Sequence, residues 1–525
     1  MSHLLDALAR WKPFHAIVLG DFMLDETCSG DADRLANDAP VPVLLVKHTE
    51  QRPGGAANVC LDLIALKGSV AAVGLVGADH AGQRLRELLT THRVESRSVL
   101  EDTARPTTVK RSIIGLAQHR HAQKMFRLDY ESREPASPDI TRQLVAAFER
   151  ELQIALALKL PVVVCIEDYN KGVCTPELCR EVIALSNHHG VEVLVDPAPI
   201  GDYAKYRGAA SITPNRAESE TASRNTGPES ARPSAKPRAR TEDYADIAQH
   251  LLATLDLRAA VITLDKSGAL LVERNAEARA VPTTARKIYD VTGAGDMVLA
   301  ALAGARANAI EWFDAVRFAN AAAGLEVEEF GCVPIPLERI HRDLLRRDRS
   351  EHGKLRTLEQ LKVEIDALRH SQASTSLQTL AGSAPKPPTV VFTNGCFDLL
   401  HLGHVSTLQR AAELGDFLVV AINDDASVRK LKGPGRPVRD QSERAGVIAA
   451  LECVGAVIIF SEDTPQRLIE AITPDVLVKG AQYDEDSIPG AAHVKSKGGR
   501  VVLVDVVPGR STTNTVDKIR ATPNP

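Results

Sequence analysis

Five short apolar runs punctuate the first two-thirds of the chain: HAIVLG (15–20), VAAVGLVG (70–77), PVVVCIED (161–168), VEVLVD (191–196) and AAVITLD (259–265). Helix-patterned stretches lie between several of them, the clearest being DITRQLVAAFERELQIALAL (139–158). An apolar run of this length bounded by breakers reads as a strand buried on both faces, and strands alternating with helices build a mostly parallel α/β sheet. The same grammar restarts at TVVFTNG (389–395) and continues through FLVVAIN (417–423), VGAVIIF (454–460), DVLVKG (475–480) and RVVLVD (500–505). Two α/β units are therefore expected, in keeping with 525 residues, more than one hydrophobic core usually supports. Between them, 341–388 is charged and then Ser/Ala/Pro-rich, with one helix expected at 357–369. We draw a first domain at 1–345, a connector at 346–385 and a second domain at 386–525. The polar stretch SRNTGPESARPSAKPRARTED (223–243) has almost nothing to bury and reads as a disordered insertion, about 221–243.

With a net charge of −5 and Lys and Arg dispersed, the sequence offers no nucleic-acid surface and points to small-molecule partners. The eight cysteines form no CxxC pair and no zinc-finger spacing, as expected of reduced cytosolic thiols. Charges interrupt the first thirty residues, and no window approaches the ~18 apolar residues of a membrane span. A soluble, cytoplasmic protein with no membrane role is expected.

DVTGAGD (290–296) precedes MVLAALAGARANAI, a helix by apolar spacing. Glycines before a helix let backbone N–H groups converge on an anion, and the helix dipole adds positive charge. Asp296 then stands where it could take a proton from an alcohol attacking a phosphoryl group. Read alone, the same turn could be a helix start capped by an Asp. It is accompanied by GDFMLD (20–25), RPGGAANVC (52–60) and TPNRAE (213–218). Together these motifs resemble the ribokinase-type (PfkB) carbohydrate kinases over about residues 10–340. The resemblance implies that Asp21, Gly54, Gly55 and Asn58 hold sugar hydroxyls and that Asp296 is the base. It also implies that Asn215, Arg216, Ala217, Glu218, Gly293, Ala294 and Gly295 hold ATP, with Glu218 acting indirectly on Mg²⁺.

TNGCFDLLHLGH (393–404) is a strand end, a loop and a helix start. His401 and His404 supply only two metal ligands, and no Cys or carboxylate cluster completes a set; on a helix start their N–H groups can instead grip phosphate. The motif resembles the cytidylyltransferase-like nucleotidyltransferases over about 385–520. That resemblance makes His401 and His404 the catalytic pair. Asn394, Gly395, Phe397, Lys432 (in RKLKG, with Lys430 as the alternative), Ser511, Thr512 and Thr513 become nucleotide contacts.

The full series, from RPGGAANV and YDVTGAGD to DVLVKG and STTN, resembles the bifunctional heptose 7-phosphate kinase/heptose 1-phosphate adenylyltransferases of Gram-negative bacteria. The fold implied is a ribokinase-like α/β domain with a small β lid, followed by a Rossmann-like HxGH nucleotidyltransferase domain. The activity implied is two ATP-dependent steps toward ADP-heptose, with Mg²⁺ and with a separate phosphatase acting between them. A different sugar kinase fused to a cytidylyltransferase is the alternative. A homodimer through a lid near 30–48 and 107–129 is also implied. DPAPIG (196–201) departs from the family's Asp-Pro-Lys, so Lys205 or Arg216 would have to supply the missing cation. Lys110, Arg127 and Lys171 are candidates for the sugar's 7-phosphate.

Overall fold

The computed structural model describes residues 2–116, 123–223, 241–283, 289–329, 331–347, 353–370, 388–481 and 483–505. The chain divides into two compact units, Trp11–Ile340, and Met1–Arg10 with His341–Pro525.

The described residues of the first unit hold thirteen strands: β1 (Phe14–Gly20), β2 (Phe22–Leu35), β3 (Pro42–Gly55), β4 (Gly68–Gly77), β5 (Glu95–Asp102), β6 (Thr108–Leu116), β7 (Gln123–Tyr130), β8 (Val162–Glu167), β9 (Glu192–Asp196), β10 (Ser211–Ile212), β11 (Ala259–Thr263), β12 (Ala269–Glu273) and β13 (Arg279–Val281). Nine of them form one sheet, ordered β13-β12-β11-β10-β9-β8-β1-β4-β5. From β11 to β5 every pairing is parallel, and β12 and β13 close one edge antiparallel. The five apolar runs are β1, β4, β8, β9 and β11, and Ile17, Leu19, Val164, Ile166, Val193 and Val195 are fully buried. Each such side chain contributes roughly 1.5–3 kcal/mol of burial. A second sheet, β3-β2-β6-β7, is the lid, and β2 leaves β1 through the single residue Asp21.

The second unit is a five-stranded parallel sheet: β14 (Val390–Gly395), β15 (Phe417–Asn423), β16 (Ala456–Phe460), β17 (Val476–Gly480) and β18 (Arg500–Val504), ordered β16-β15-β14-β17-β18.

Two boundaries differ from the sequence expectation. The helix expected at 357–369 forms as Leu358–His370, yet it is no free connector: Leu361 and Ile365 are buried in a core with Phe392, Ile458 and Ile472. Arg356 ties the segment down through a buried pair with Glu364 at 2.8 Å. Residues 1–10, assigned by sequence to the first domain, cluster with the second, where Gln360 Nε2 donates to Asp6 Oδ1 at 2.8 Å. Of the expected insertion, 221–223 complete the helix Arg216–Ser223 and 241–243 begin a short 3-10 turn, while 224–240 lie outside the described residues.

Candidate active sites

In the first unit the carboxyl ends of the central parallel strands converge, the usual place for ligands in an open α/β sheet. Asp21 follows β1, Glu167 ends β8 and Asp196 ends β9. The N-terminus of the helix Ala294–Ala307 points Gly293–Asp296 at the same place. The Ala294 N–H turns back to the Val291 carbonyl at 3.4 Å, while those of Gly295 and Asp296 have no intrahelical acceptor and so remain available to an anion. Gly293 caps that helix at φ 91, and a Cβ there would lie 2.6 Å from Glu326 Oε1, so only glycine fits.

Asp296 is buried. Its Oδ2 accepts from Asn58 Nδ2 at 2.9 Å and its Oδ1 from the Tyr169 hydroxyl at 2.8 Å. Burial raises its pKa to about 6, against the lowering effect of these two bonds and of the nearby Lys110 charge. The carboxyl therefore changes protonation just below neutrality, where a general base is effective. Around it stands an acidic wall. Glu167 and Asp196 are both pushed well above the ordinary carboxylate range, chiefly by burial, Glu167 further by the charge of Asp196 and Asp196 by that of Glu218, and Glu167 Oε2 is buried with no hydrogen-bond partner.

Among the described residues no three acidic, His or Cys side chains are spaced to hold a metal ion unaided. The chemistry still suits Mg²⁺ arriving hydrated on a nucleotide, since that ion takes one or two carboxylates plus phosphate oxygens. Asp196, whose pKa is raised by burial and then by the charge of Glu218, forms with Glu218 the pair such an ion would relieve.

In the second unit β14 ends at Asn394–Gly395, and the turn that follows feeds the helix Leu402–Ala412 with His401 as N-cap. The His401 carbonyl accepts from the His404 N–H at 2.9 Å, and the two imidazoles stack with centroids 3.8 Å apart and 19° between planes. Phe397, at φ 45, sets its ring edge against His404 at 5.4 Å. Burial, the neighbouring His401 and Lys432 lower the His404 pKa to about 4, so its ring is neutral at physiological pH. Asp398 locks the turn from behind, accepting from Arg436 Nη1 at 2.5 Å and from the Val438 N–H at 2.6 Å. A cavity of about 310 Å³ adjoins it, lined by Phe397, Asp398, Leu399, Leu400, Arg439, Arg444, Val447 and Ile448.

The pfkB family carbohydrate kinase model matches residues 15–339 and the cytidylyltransferase-like model matches 392–516. A bifunctional protein HldE from Geobacter metallireducens is 41% identical over 511 residues, covering 97% of this chain and 96% of its own. The protein of the same name from Geotalea uraniireducens is 40% identical over 512 residues, covering 97% and 96%. The chain belongs to the HldE family. It is thus a bifunctional carbohydrate kinase and nucleotidyltransferase, with the ribokinase-like fold first and the Rossmann-like fold second. Among solved structures, Escherichia coli phosphofructokinase-2 in complex with potassium covers 63% of this chain and 97% of its own at 18% identity and TM-score 0.49. Arabidopsis thaliana ribokinase complexed with ribose and ATP covers 63% and 99% at 18% and 0.47. No helix among the described residues is long and apolar enough to cross a membrane.

In this HldE-family chain the sequence-chosen residues fall into two groups. Asp296 and Asn58 meet directly, Gly293, Ala294 and Gly295 form the helix start, and His401 and His404 stack. Asn215 and Glu218 instead bond each other, Glu218 Oε2 accepting from the Asn215 N–H at 2.8 Å and Asn215 Oδ1 from the Glu218 N–H at 3.0 Å. This capping box opens a helix that also carries Arg216 and Ala217. Asp21, expected at the sugar, accepts from the N–H groups of Tyr169, Lys171 and Val173 at 2.8, 3.0 and 3.3 Å, which fixes the loop that carries Tyr169. The carboxylate that remains open is Asp25, whose Oδ1 is buried without a partner and which a Cβ on Gly54 would strike at 2.5 Å. Gly55 works similarly: it caps the helix Ala56–Ala65 at φ 56, where a Cβ would meet the Asp21 carbonyl at 2.7 Å.

The Lys205 ammonium is held by Asp168 at 2.5 Å and by the Cys174 carbonyl at 2.9 Å. Arg216 binds the Tyr244 hydroxyl at 3.0 Å and Asp265 at 3.4 Å. In the second unit Lys430 pairs with Asp463, leaving Lys432 as the lysine whose charge reaches His404. Phe397 belongs to the core with Leu408 and Val420 and orients His404. Ser511, Thr512 and Thr513 lie outside the described residues. The sequence reading missed Tyr169, Asp25 and Lys479. The last is half-buried on β17, donates to the Asn394 carbonyl at 3.3 Å and has its pKa lowered to about 8 by desolvation.

Proposed function

We propose that the chain performs two ATP-dependent steps of ADP-heptose synthesis for the lipopolysaccharide core. The first unit phosphorylates D-glycero-β-D-manno-heptose 7-phosphate at O1, and the second adenylylates heptose 1-phosphate with release of pyrophosphate. A separate phosphatase removes the 7-phosphate between the two. The observation that carries this reading is a pair of anion-receiving helix starts, each at the carboxyl end of its own parallel sheet and each with different acid–base chemistry beside it.

In the kinase step Asp296 takes the O1 proton as oxygen attacks the γ-phosphorus and the bond to ADP breaks. Asn58 and Tyr169 orient that carboxylate. The N–H groups opening 294–307 stabilise charge on the moving phosphoryl. Asp25 and Asn58 hold sugar hydroxyls, with Gly54 and Gly55 giving the backbone room. Asn215, Arg216, Ala217 and Glu218 lie on the nucleotide side, where Glu218 and Asp196 would hold the hydrated Mg²⁺ of MgATP. That ion supplies charge neutralisation on the phosphates.

In the adenylyl step a phosphate oxygen of heptose 1-phosphate attacks the α-phosphorus of ATP while pyrophosphate leaves. His401 and His404 donate hydrogen bonds to the phosphate oxygens, and Lys432, Asn394 and Gly395 line the same turn, with Ser511, Thr512 and Thr513 as further phosphate contacts. Exposed Leu35, Val41, Leu45, Val46 and Phe126 on the lid support a homodimer through that sheet. Eight free cysteines and the dependence on ATP support a cytoplasmic location.

Mass analysis of products from heptose 7-phosphate, ATP and Mg²⁺ tests the reading. The bisphosphate should appear without a phosphatase and ADP-heptose only with one. Loss of ADP-heptose on replacing ATP by CTP after the kinase step is expected, and formation of CDP-heptose would overturn the adenylyl assignment.

A further inference from the structure

Side chains of a strand alternate between faces, and the lid pairings place Asp25 of β2, Lys110 of β6 and Asp129 of β7 in one cross-strand row, with Ser112 and Arg127 in the next. This polar face is the one that turns toward Tyr169, because the Lys110 ammonium sits 4.4 Å from the centre of the Tyr169 ring. The hydroxyl of that ring in turn donates to Asp296. The cations near this face are not equivalent. Arg127 forks onto Asp129 with two bonds of 2.7 Å, and Lys171 is paired with Glu131. Arg111, on the opposite face of β6, is paired with Glu26. Lys110 is half-buried and, among the described residues, has no carboxylate within ion-pair distance, its ammonium lying instead over an aromatic ring. Asp25 beside it keeps a buried oxygen without a partner. A half-buried cation and a carboxylate with one buried, unpartnered oxygen that do not close on each other are both arranged for something that lies between them.

We propose that Lys110 is the specificity-determining residue of the kinase site, pairing with the distal phosphomonoester of the sugar. Asp25 beside it accepts from the sugar's hydroxyls, and Asp296 acts at the anomeric end. The inference rests on the kinase reading above and narrows its three candidate cations to one. The transferred phosphoryl already has the N–H groups of 293–296 as donors, so a cation on a separate element serves a second phosphate. Arg127 and Lys171, already matched by Asp129 and Glu131, shape the face without being open to a ligand.

Steady-state kinase kinetics of the full chain with heptose 7-phosphate and with unphosphorylated heptose test this, using Lys110→Met, Lys110→Gln and Lys110→Arg. At pH 8.5, where Asp296 is deprotonated with or without the Lys110 charge, loss of a charged contact made equally in ground and transition states should raise KM for the 7-phosphate about 30-fold and change kcat by less than about threefold. With unphosphorylated heptose kcat/KM should stay within about twofold, and Lys110→Arg should recover most of the selectivity. The Gln variant, similar in length, gives the same split should Met disturb folding. An equal fall in kcat for both sugars would assign Lys110 to the transferred phosphoryl and overturn the proposal, as would no change for either. A wild-type chain that phosphorylates neither sugar would instead defeat the kinase reading itself.

Discussion

Tyr169→Phe isolates one bond to the catalytic carboxylate. The hydroxyl lies 2.8 Å from Asp296 Oδ1 and helps hold a pKa that burial raises to about 6. A hydrogen bond to a charged group contributes about 1.5–3 kcal/mol. Part of that persists to the protonated acid, so a differential of about 1.4 kcal/mol is reasonable, equivalent to about one pKa unit. Only the deprotonated carboxylate acts as base, so activity rises with pH through this pKa. The acid limb of kcat/KM should therefore move from about pH 6 to about pH 7, since the bond lost was one that lowered the pKa. At pH 6.5 the deprotonated fraction falls from about three-quarters to about one-quarter, and at pH 8.5 the two proteins nearly coincide. The assay is ADP release from sugar and ATP between pH 5 and 9, with buffers matched in ionic strength. An unshifted limb, or a rate lowered by the same factor at every pH, would show that Tyr169 does not act through the charge on Asp296.

Other outcomes follow from the same geometry. Asp296→Asn should lower kinase turnover by about 10²–10⁴ and leave pyrophosphate release by the second unit intact. His404→Ala should do the reverse, and because its pKa is lowered to about 4 the adenylyl reaction should show no acid limb from that ring between pH 5 and 8. Gly293→Ala, at φ 91 and against Glu326, should cost about 1–3 kcal/mol in denaturant unfolding along with most kinase activity. Glu326 is buried and its pKa is raised to about 9 from 4.5, so the folded chain holds a proton that the unfolded chain releases. Wild-type stability then falls as pH rises from 4.5 to 9, and Glu326→Gln should be stabilising by about 3 kcal/mol at pH 7 and neutral near pH 4.5 by thermal melts.

Strands buried on both faces announce themselves, which is why β1, β4, β8, β9 and β11 can be read as apolar runs. β10, two residues long, and β13, three, are too short for any periodicity, and only the sheet around them makes them strands. The helix at 358–370 is visible in its pattern, but not the core its Leu361 and Ile365 enter, since that depends on where the chain returns. The site divides in the same way. Asp296 and the two histidines lie in motifs whose spacing is local. Asn58 reaches Asp296 across 238 residues and Tyr169 across 127, contacts made by strand order alone. The difference between Asp21 and Asp25 is non-local in the same way. Both sit in GDFMLD, and what separates them is that three N–H groups from the 169–173 loop close on Asp21 while Gly54 leaves Asp25 open.

The two helix starts present a similar phosphate-gripping device to different nucleophiles, and the residues beside each follow from that difference. A sugar hydroxyl is a poor nucleophile until it loses its proton, so the first turn ends in a carboxylate, and burial among Glu167, Asp196 and Asp25 keeps that carboxylate basic enough to accept one. A sugar phosphate is already an anion. It needs no base, only donors and positive charge to let two anions approach, and the second turn accordingly carries imidazoles with Lys432 beside them and Lys479 nearby. The opposite pKa displacements, Asp296 upward and His404 downward, are the same rule applied twice: burial disfavours the charged form of each, and at His404 the positive field of His401 and Lys432 adds to it. On this argument incoming triphosphate should raise the His404 pKa, because a polyanion reverses the field that lowered it. Titration of the His404 ring by NMR with and without a nonhydrolysable ATP analogue should show that rise, and a pKa left near 4 with nucleotide bound would mean the ring does not face the phosphates.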